Sequence, residues 1–183
     1  MNGYKNLNGV LKEYAKYVIQ QAKTNLTKDV NEYGKNKGGG NLYNSIKYDL
    51  GIEPNIFLVD FLMEDYGIFV DKGVKGKTST YPETQAALSQ FQYGSGTGSK
   101  GGLTNGINKW LKKERFQWRN DLGQFMSYES MAYLIARSIY NKGLKANLFF
   151  TKPFEQALKN LPVQLSNSFA LDIENAIILG VKK

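Results

Sequence analysis

The sequence contains no cysteine and no histidine. Without cysteine there is no disulfide framework, no thiol nucleophile and no thiolate metal site, which fits a protein made and assembled in a reducing cytoplasm. Without histidine the chain lacks the usual general base, the Ser-His-Asp arrangement and the commonest transition-metal ligand. Most familiar hydrolase and metalloenzyme designs are thereby excluded. No apolar run approaches the roughly 20 residues that span a bilayer. The N-terminal MNGYKNLNG lacks the apolar core of a signal peptide. The expectation is a soluble protein, unexported by that route and without a membrane partner.

The 183 residues suffice for one domain, or for one domain carrying a long insertion. Hydrophobic residues make up 42% and aromatics 13%, which argues for a folded chain. The formal net charge of +8 favours acidic partners, either nucleic acid or negatively charged protein faces.

The stretch Asn55 to Lys77 organises the rest. Ile56, Phe57, Val59 and Phe61 read as a strand, Leu62, Tyr66, Phe69 and Val70 change to a helical period, and Gly73 stands where a short helix needs a left-handed stop. Tyr66 and Phe69 are expected to be buried against the first or last helix. Before this stretch, Leu7 to Leu26 carries an amphipathic stripe, and Thr27 to Gly40 reads as a loop. Asn41 to Leu50 suits a strand, possible turn at its start aside, and Gly51 to Asn55 a tight connection. Residues 46–50 and 56–62 then form an antiparallel hairpin.

After it, Gly94 to Gly102 is a low-complexity linker, and Ala86 to Tyr93 reads equally as a helical turn or a pairing strand. A short helix covers Leu103 to Glu114. Ser127 caps a second helix that stops at Gly143, and Pro153 suits a first helical position. A stripe through Phe154, Leu158, Leu161, Leu165, Phe169, Ile173 and Ile177 runs almost to the end, with a kink or break expected near Leu161 because of Pro162.

Three constellations carry possible chemistry. The carboxylates Asp60, Glu64, Asp65 and Asp71 could work as an acid/base pair or hold a cation, but they lack metal-loop spacing, and alternation turns Asp60 to solvent. The segment KWLKKERFQWR interleaves Lys109, Lys112, Lys113, Arg115 and Arg119 with Trp110, Phe116 and Trp118, the mixture a single-strand nucleic-acid platform needs. The preferred reading is nevertheless an amphipathic helix with its tryptophans in the core, because Trp110 shares a face with Ile107 and Leu111. The glycines from 94 to 102 match no phosphate-binding motif. No catalytic, cofactor-binding or metal-ligating residue is expected.

Taken in order, AKYVIQQAKTNL, NLYNSIKYDL, DYGIFVDKGV, ARSIYNKGL and FFTKPF before a long final helix form a pattern. It resembles the tail-completion, or neck, proteins of tailed bacteriophages. In that family a Y-x-x-(F/Y)-V-(E/D)-x-G segment follows the central strand, here Tyr66, Phe69, Val70, Asp71 and Gly73. An aromatic-Pro-Phe step precedes the last helix, here Phe150, Pro153 and Phe154.

The resemblance implies a single tail-completion-like α+β domain, with a small, mostly antiparallel sheet packed by long N- and C-terminal amphipathic helices. Residues 78–128 would be a long glycine-rich insertion. It further implies a structural, non-enzymatic virion protein assembled in the host cytoplasm. The chain would form a homo-oligomeric ring, hexameric or dodecameric, between the portal or head-tail adaptor and the tail ring or tail tube, with genomic DNA passing through the lumen. Expected inter-subunit contacts are Lys35, Lys37, Lys72, Lys75, Lys77, Gly94, Gly96, Gly98 and Lys100. The alternative is a basic nucleic-acid-binding module using Lys109 to Arg119.

Overall fold

The computed structural model describes residues 4–28, 40–53, 56–78, 89–95 and 101–181. In chain order the elements are α1 (Lys5–Lys28), α2 (Asn41–Ser45), β1 (Lys47–Glu53), β2 (Ile56–Leu62), α3 (Gly67–Lys72), β3 (Val74–Lys75), α4 (Gly102–Glu114), α5 (Tyr128–Lys142), β4 (Gly143–Leu144), α6 (Thr151–Leu158) and α7 (Leu161–Val181). The fold is α+β, with helices predominating and, among the described residues, two short antiparallel two-stranded sheets, β1-β2 and β3-β4. The chain forms two compact units, Met1–Gly67 with Leu148–Lys183, and Ile68–Asn147.

The first unit is built on α1. Its expected stripe is buried, through Leu7, Leu11, Tyr14, Val18, Ala22 and Leu26, while lysines and Glu13 face water. Tyr14, Val18 and Leu161 form a cluster onto which Phe61, Phe150 and Phe154 pack. The Phe61 ring meets the other two edge-on, 5.2 Å from Phe150 and 6.0 Å from Phe154, a geometry that ring quadrupoles favour. The expected hairpin forms with register Lys47↔Leu62 to Glu53↔Ile56.

Two boundaries move. Gly51–Glu53, read as connection, continues β1, because each residue finds a cross-strand partner; Pro54 and Asn55 lie outside the described residues. Asn41–Ser45, where the strand reading left a turn open, is a helical turn. Leu42 is buried there, the Ser45 hydroxyl donates to the Leu42 carbonyl, and it accepts from the Glu64 amide. Local side-chain hydrogen bonding thus overrides the alternation. The break between α6 and α7 falls where Pro162 placed it. Pro153 is the third residue of α6, not the first, still inside the turn whose amides need no helical partner.

In the second unit α3 ends at Gly73, whose φ is +71°. β3 and β4 pair through Val74↔Leu144 and Lys75↔Gly143. Gly143 is required twice over, since its φ is +85° and a Cβ would run into the Val74 carbonyl and lie 2.6 Å from the Gly76 nitrogen. Residues 89–93 extend beside β3, with the Lys75 amide donating to Phe91 O and the Tyr93 amide to Lys75 O. The described part of the Ala86–Tyr93 segment therefore pairs with β3 through a single parallel bridge, Lys75↔Gln92, and is anchored where the buried Ser89 hydroxyl donates to Gly73 O at 2.8 Å.

α4 and α5 form a second core of Leu111, Met131 and Ala132, with Ile107, Phe116 and Trp118 against it. Ser127 caps α5 as expected, its Oγ accepting from the Ser130 amide at 3.1 Å.

Candidate functional site

The carboxylates do not converge. Asp60, Glu64 and Asp65 are exposed, Asp71 is buried at 4% exposure, and the described residues contain no group of acidic side chains placed to hold a metal ion. Asp60 faces solvent, as alternation along β2 required.

Of the expected inter-subunit contacts, Lys35, Lys37, Gly96, Gly98 and Lys100 lie outside the described residues. Lys72 and Lys77 are exposed and Lys75 is half-buried in the β3 pairing. Lys77 and Gly94 come together: the Lys77 ammonium sits 5.7 Å from the Tyr140 ring centre, and a Cβ on Gly94 would touch both the Lys77 stem and the Tyr140 hydroxyl. The Tyr93 ring lies 6.0 Å from Tyr140, and burial pushes the Tyr93 phenol pKa up.

Tyr66 and Phe69 correct the expectation of burial. They are 45% and 38% exposed. Phe69 meets Phe91 at 4.5 Å, so its partner is the segment bridged to β3, not a long helix. Helical period is blind to a partner brought up by a later segment.

The segment 109–119 also departs from its preferred reading. Leu111 is fully buried, but Trp110 is 46% exposed, while Phe116 and Trp118 lean on the core. Only one narrow line of α4 meets α5, and position 110 falls to the side of it. Lys109, Lys113, Arg115 and Arg119 are exposed, and Lys112 lies 3.6 Å from Glu129.

The least expected surface belongs to α7. The side chains directed inward are Leu161, Ser168 and Asp172, with Leu165 half-buried, whereas Phe169, Ile173 and Ile177 of the anticipated stripe are 43%, 43% and 62% exposed. Asp172 sets this rotation. Its Oδ1 accepts from the Asn6 amide at 3.0 Å and from Asn6 Nδ2, and its Oδ2 accepts from the Leu7 amide at 2.9 Å. The carboxylate thereby caps the N-terminus of α1 from the far end of the sequence, where orphan amides and the helix dipole both favour negative charge. The sequence holds a signal for it: α1 has no acidic residue in its own first turn.

With Leu161, Ser168 and Asp172 turned inward, Val163, Leu171, Ile177, Ile178 and Leu179 are left exposed around the helix. β2 contributes a second exposed face, Ile56, Leu58 and Leu62 with Asp60 among them, opposite the Phe57 and Phe61 face that meets Tyr4 and Tyr14. Among the described residues no helix is long and apolar enough to cross a membrane.

Compared with known proteins, the chain matches no family model, no curated protein and no solved structure.

Proposed function

We propose that the chain is a structural subunit of the neck of a tailed phage, assembling into a homo-oligomeric ring that joins the portal or head-tail adaptor to the tail. The observation that carries this reading is α7. Large apolar side chains left in water on a helix mark a surface that association would cover, and Leu171, Ile177, Ile178 and Leu179 are 44% to 68% exposed.

The first unit carries two different apolar faces, the surround of α7 and the outer face of β2. Two unlike faces on one chain favour head-to-tail association, which closes into a ring when the rotation per subunit is right. The likeness of Tyr66 to Gly73 and of Phe150 to Phe154 to the neck family's motifs supports the placement in the virion. The exposed lysines 72 and 77 would then meet an adjacent ring or the DNA in the lumen. The role is mechanical, not catalytic.

Sedimentation velocity and negative-stain electron microscopy of the purified protein test this. Rings, or an oligomer that grows with concentration, are expected. Ile177→Glu and Leu58→Lys should each give monomers, and mixing the two variants should restore one intact contact and stop at dimers. A wild-type protein that stays monomeric at high concentration would overturn the reading.

A further inference from the structure

The second unit carries a surface that the ring does not use. On α4, Trp110 is 46% exposed, with Lys109 beside it, Lys113 one turn on and Gly106 one turn back. Residues three and four apart share a helix face, and a side chain on Gly106 would meet nothing within 4 Å, so one side of the indole stands open. The row continues through Phe116, 6.4 Å from Trp110, to Trp118, 5.8 Å further.

Beyond Trp118 the chain makes a tight hairpin in which Arg119 and Phe125 are bridged partners. The Arg119 guanidinium lies 4.3 Å from the Phe125 ring centre and donates to Gly123 O, and Phe125 is 61% exposed. Asn120 holds the tip, its Oδ1 accepting from the Leu122 amide at 3.1 Å and the Gln124 amide at 2.9 Å. Two flat aromatic faces are thus presented on ordered backbone among cations.

We propose that Trp110 and Phe125, with Lys109, Lys113, Arg115 and Arg119, form a binding platform for single-stranded nucleic acid. Lysines and arginines take the phosphates, and the exposed rings take bases, whose flat faces stack on them in any sequence. An acidic peptide would satisfy the cations but leave both rings in water. A duplex keeps its bases stacked on each other and cannot offer them to Trp110. Lys112 stands apart, directed at Glu129. The proposal is independent of the ring reading, since it uses no residue of α7 or β2.

Fluorescence anisotropy of the full chain with labelled dT20, rU20, a 20-base-pair duplex and polyglutamate is the test. Either single strand should bind at least about tenfold more tightly than the duplex or polyglutamate. Trp110→Ala should weaken the better strand about tenfold, as loss of one stacked base requires, while leaving polyglutamate unaffected. Phe125→Ser, on a separate element, should do the same, with circular dichroism showing both variants folded. Lys109→Gln and Lys113→Gln should each lower the slope of log affinity against log salt by about 0.7. Single strands bound no better than duplex or polyglutamate, or unaffected by both aromatic substitutions, would overturn the proposal.

Discussion

α1 and α7 lie against each other in the first unit and are of similar length, yet they relate to water in opposite ways. α1 gathers its apolar side chains on one line, buries them, and spends its lysines on the other side. α7 has no Lys or Arg, turns Ser168 and Asp172 inward and leaves isoleucines and leucines outside. A helix of the first kind is completed by its own chain. The second kind leaves apolar side chains in water among the described residues, and the polar contact that orients it is what leaves that surface free.

The comparison can be broken most forcefully from the α1 side. Leu26 is fully buried, so Leu26→Ala should cost about 3 kcal/mol by urea unfolding. A cost under about 1 kcal/mol would mean that the α1 stripe is not the frame of this unit. Next comes the link between the two helices. Asp172→Ala removes an acceptor shared by two amides and the Asn6 side chain; a loss of about 2 kcal/mol is expected. Hydrogen exchange should quicken in the first turn of α1, and no change there would refute the remote cap.

Tyr14 sharpens the comparison from within α1. Its hydroxyl is buried and finds no partner among the described residues, so Tyr14→Phe should stabilise by up to about 1 kcal/mol. Burial raises the folded-state phenol above its ordinary 10.0. The unfolded chain therefore loses this proton first as pH rises, so stability is unaffected by Tyr14 below pH 10.0 and falls from there up to the folded value. Tyr14→Phe should remove that part of the alkaline loss, seen as a shallower decline of the urea midpoint at high pH.

The smallest effect is expected on α7. Ile177→Ser should change the unfolding free energy of the dissociated chain by less than about 0.5 kcal/mol. A large loss would place Ile177 in an intramolecular core and remove the basis for calling α7 incomplete.

Much of the fold is legible in local pattern. The α1 stripe, the hairpin, the Ser127 cap, the Gly73 and Gly143 stops and the break before Pro162 each depend on a few neighbouring residues, and each is found. What period alone could not supply is which of several apolar faces wins the core. Phe169, Ile173 and Ile177 are as apolar as the α1 stripe, but they yield the inward direction to a carboxylate needed 166 residues away. Trp110 likewise loses its place to Leu111 by the line along which α4 meets α5.

The sequence by itself determined that this chain has no thiol or imidazole chemistry, carries excess positive charge, and builds its longer helices and one antiparallel hairpin close to where they are found. These follow from residue inventory and from propensities that act over a few positions. Tertiary structure decided the rotation of α7 and the outward turn of Trp110. Each of those depends on satisfying polar groups and filling space between segments distant in the chain, and that competition is settled only when the segments meet.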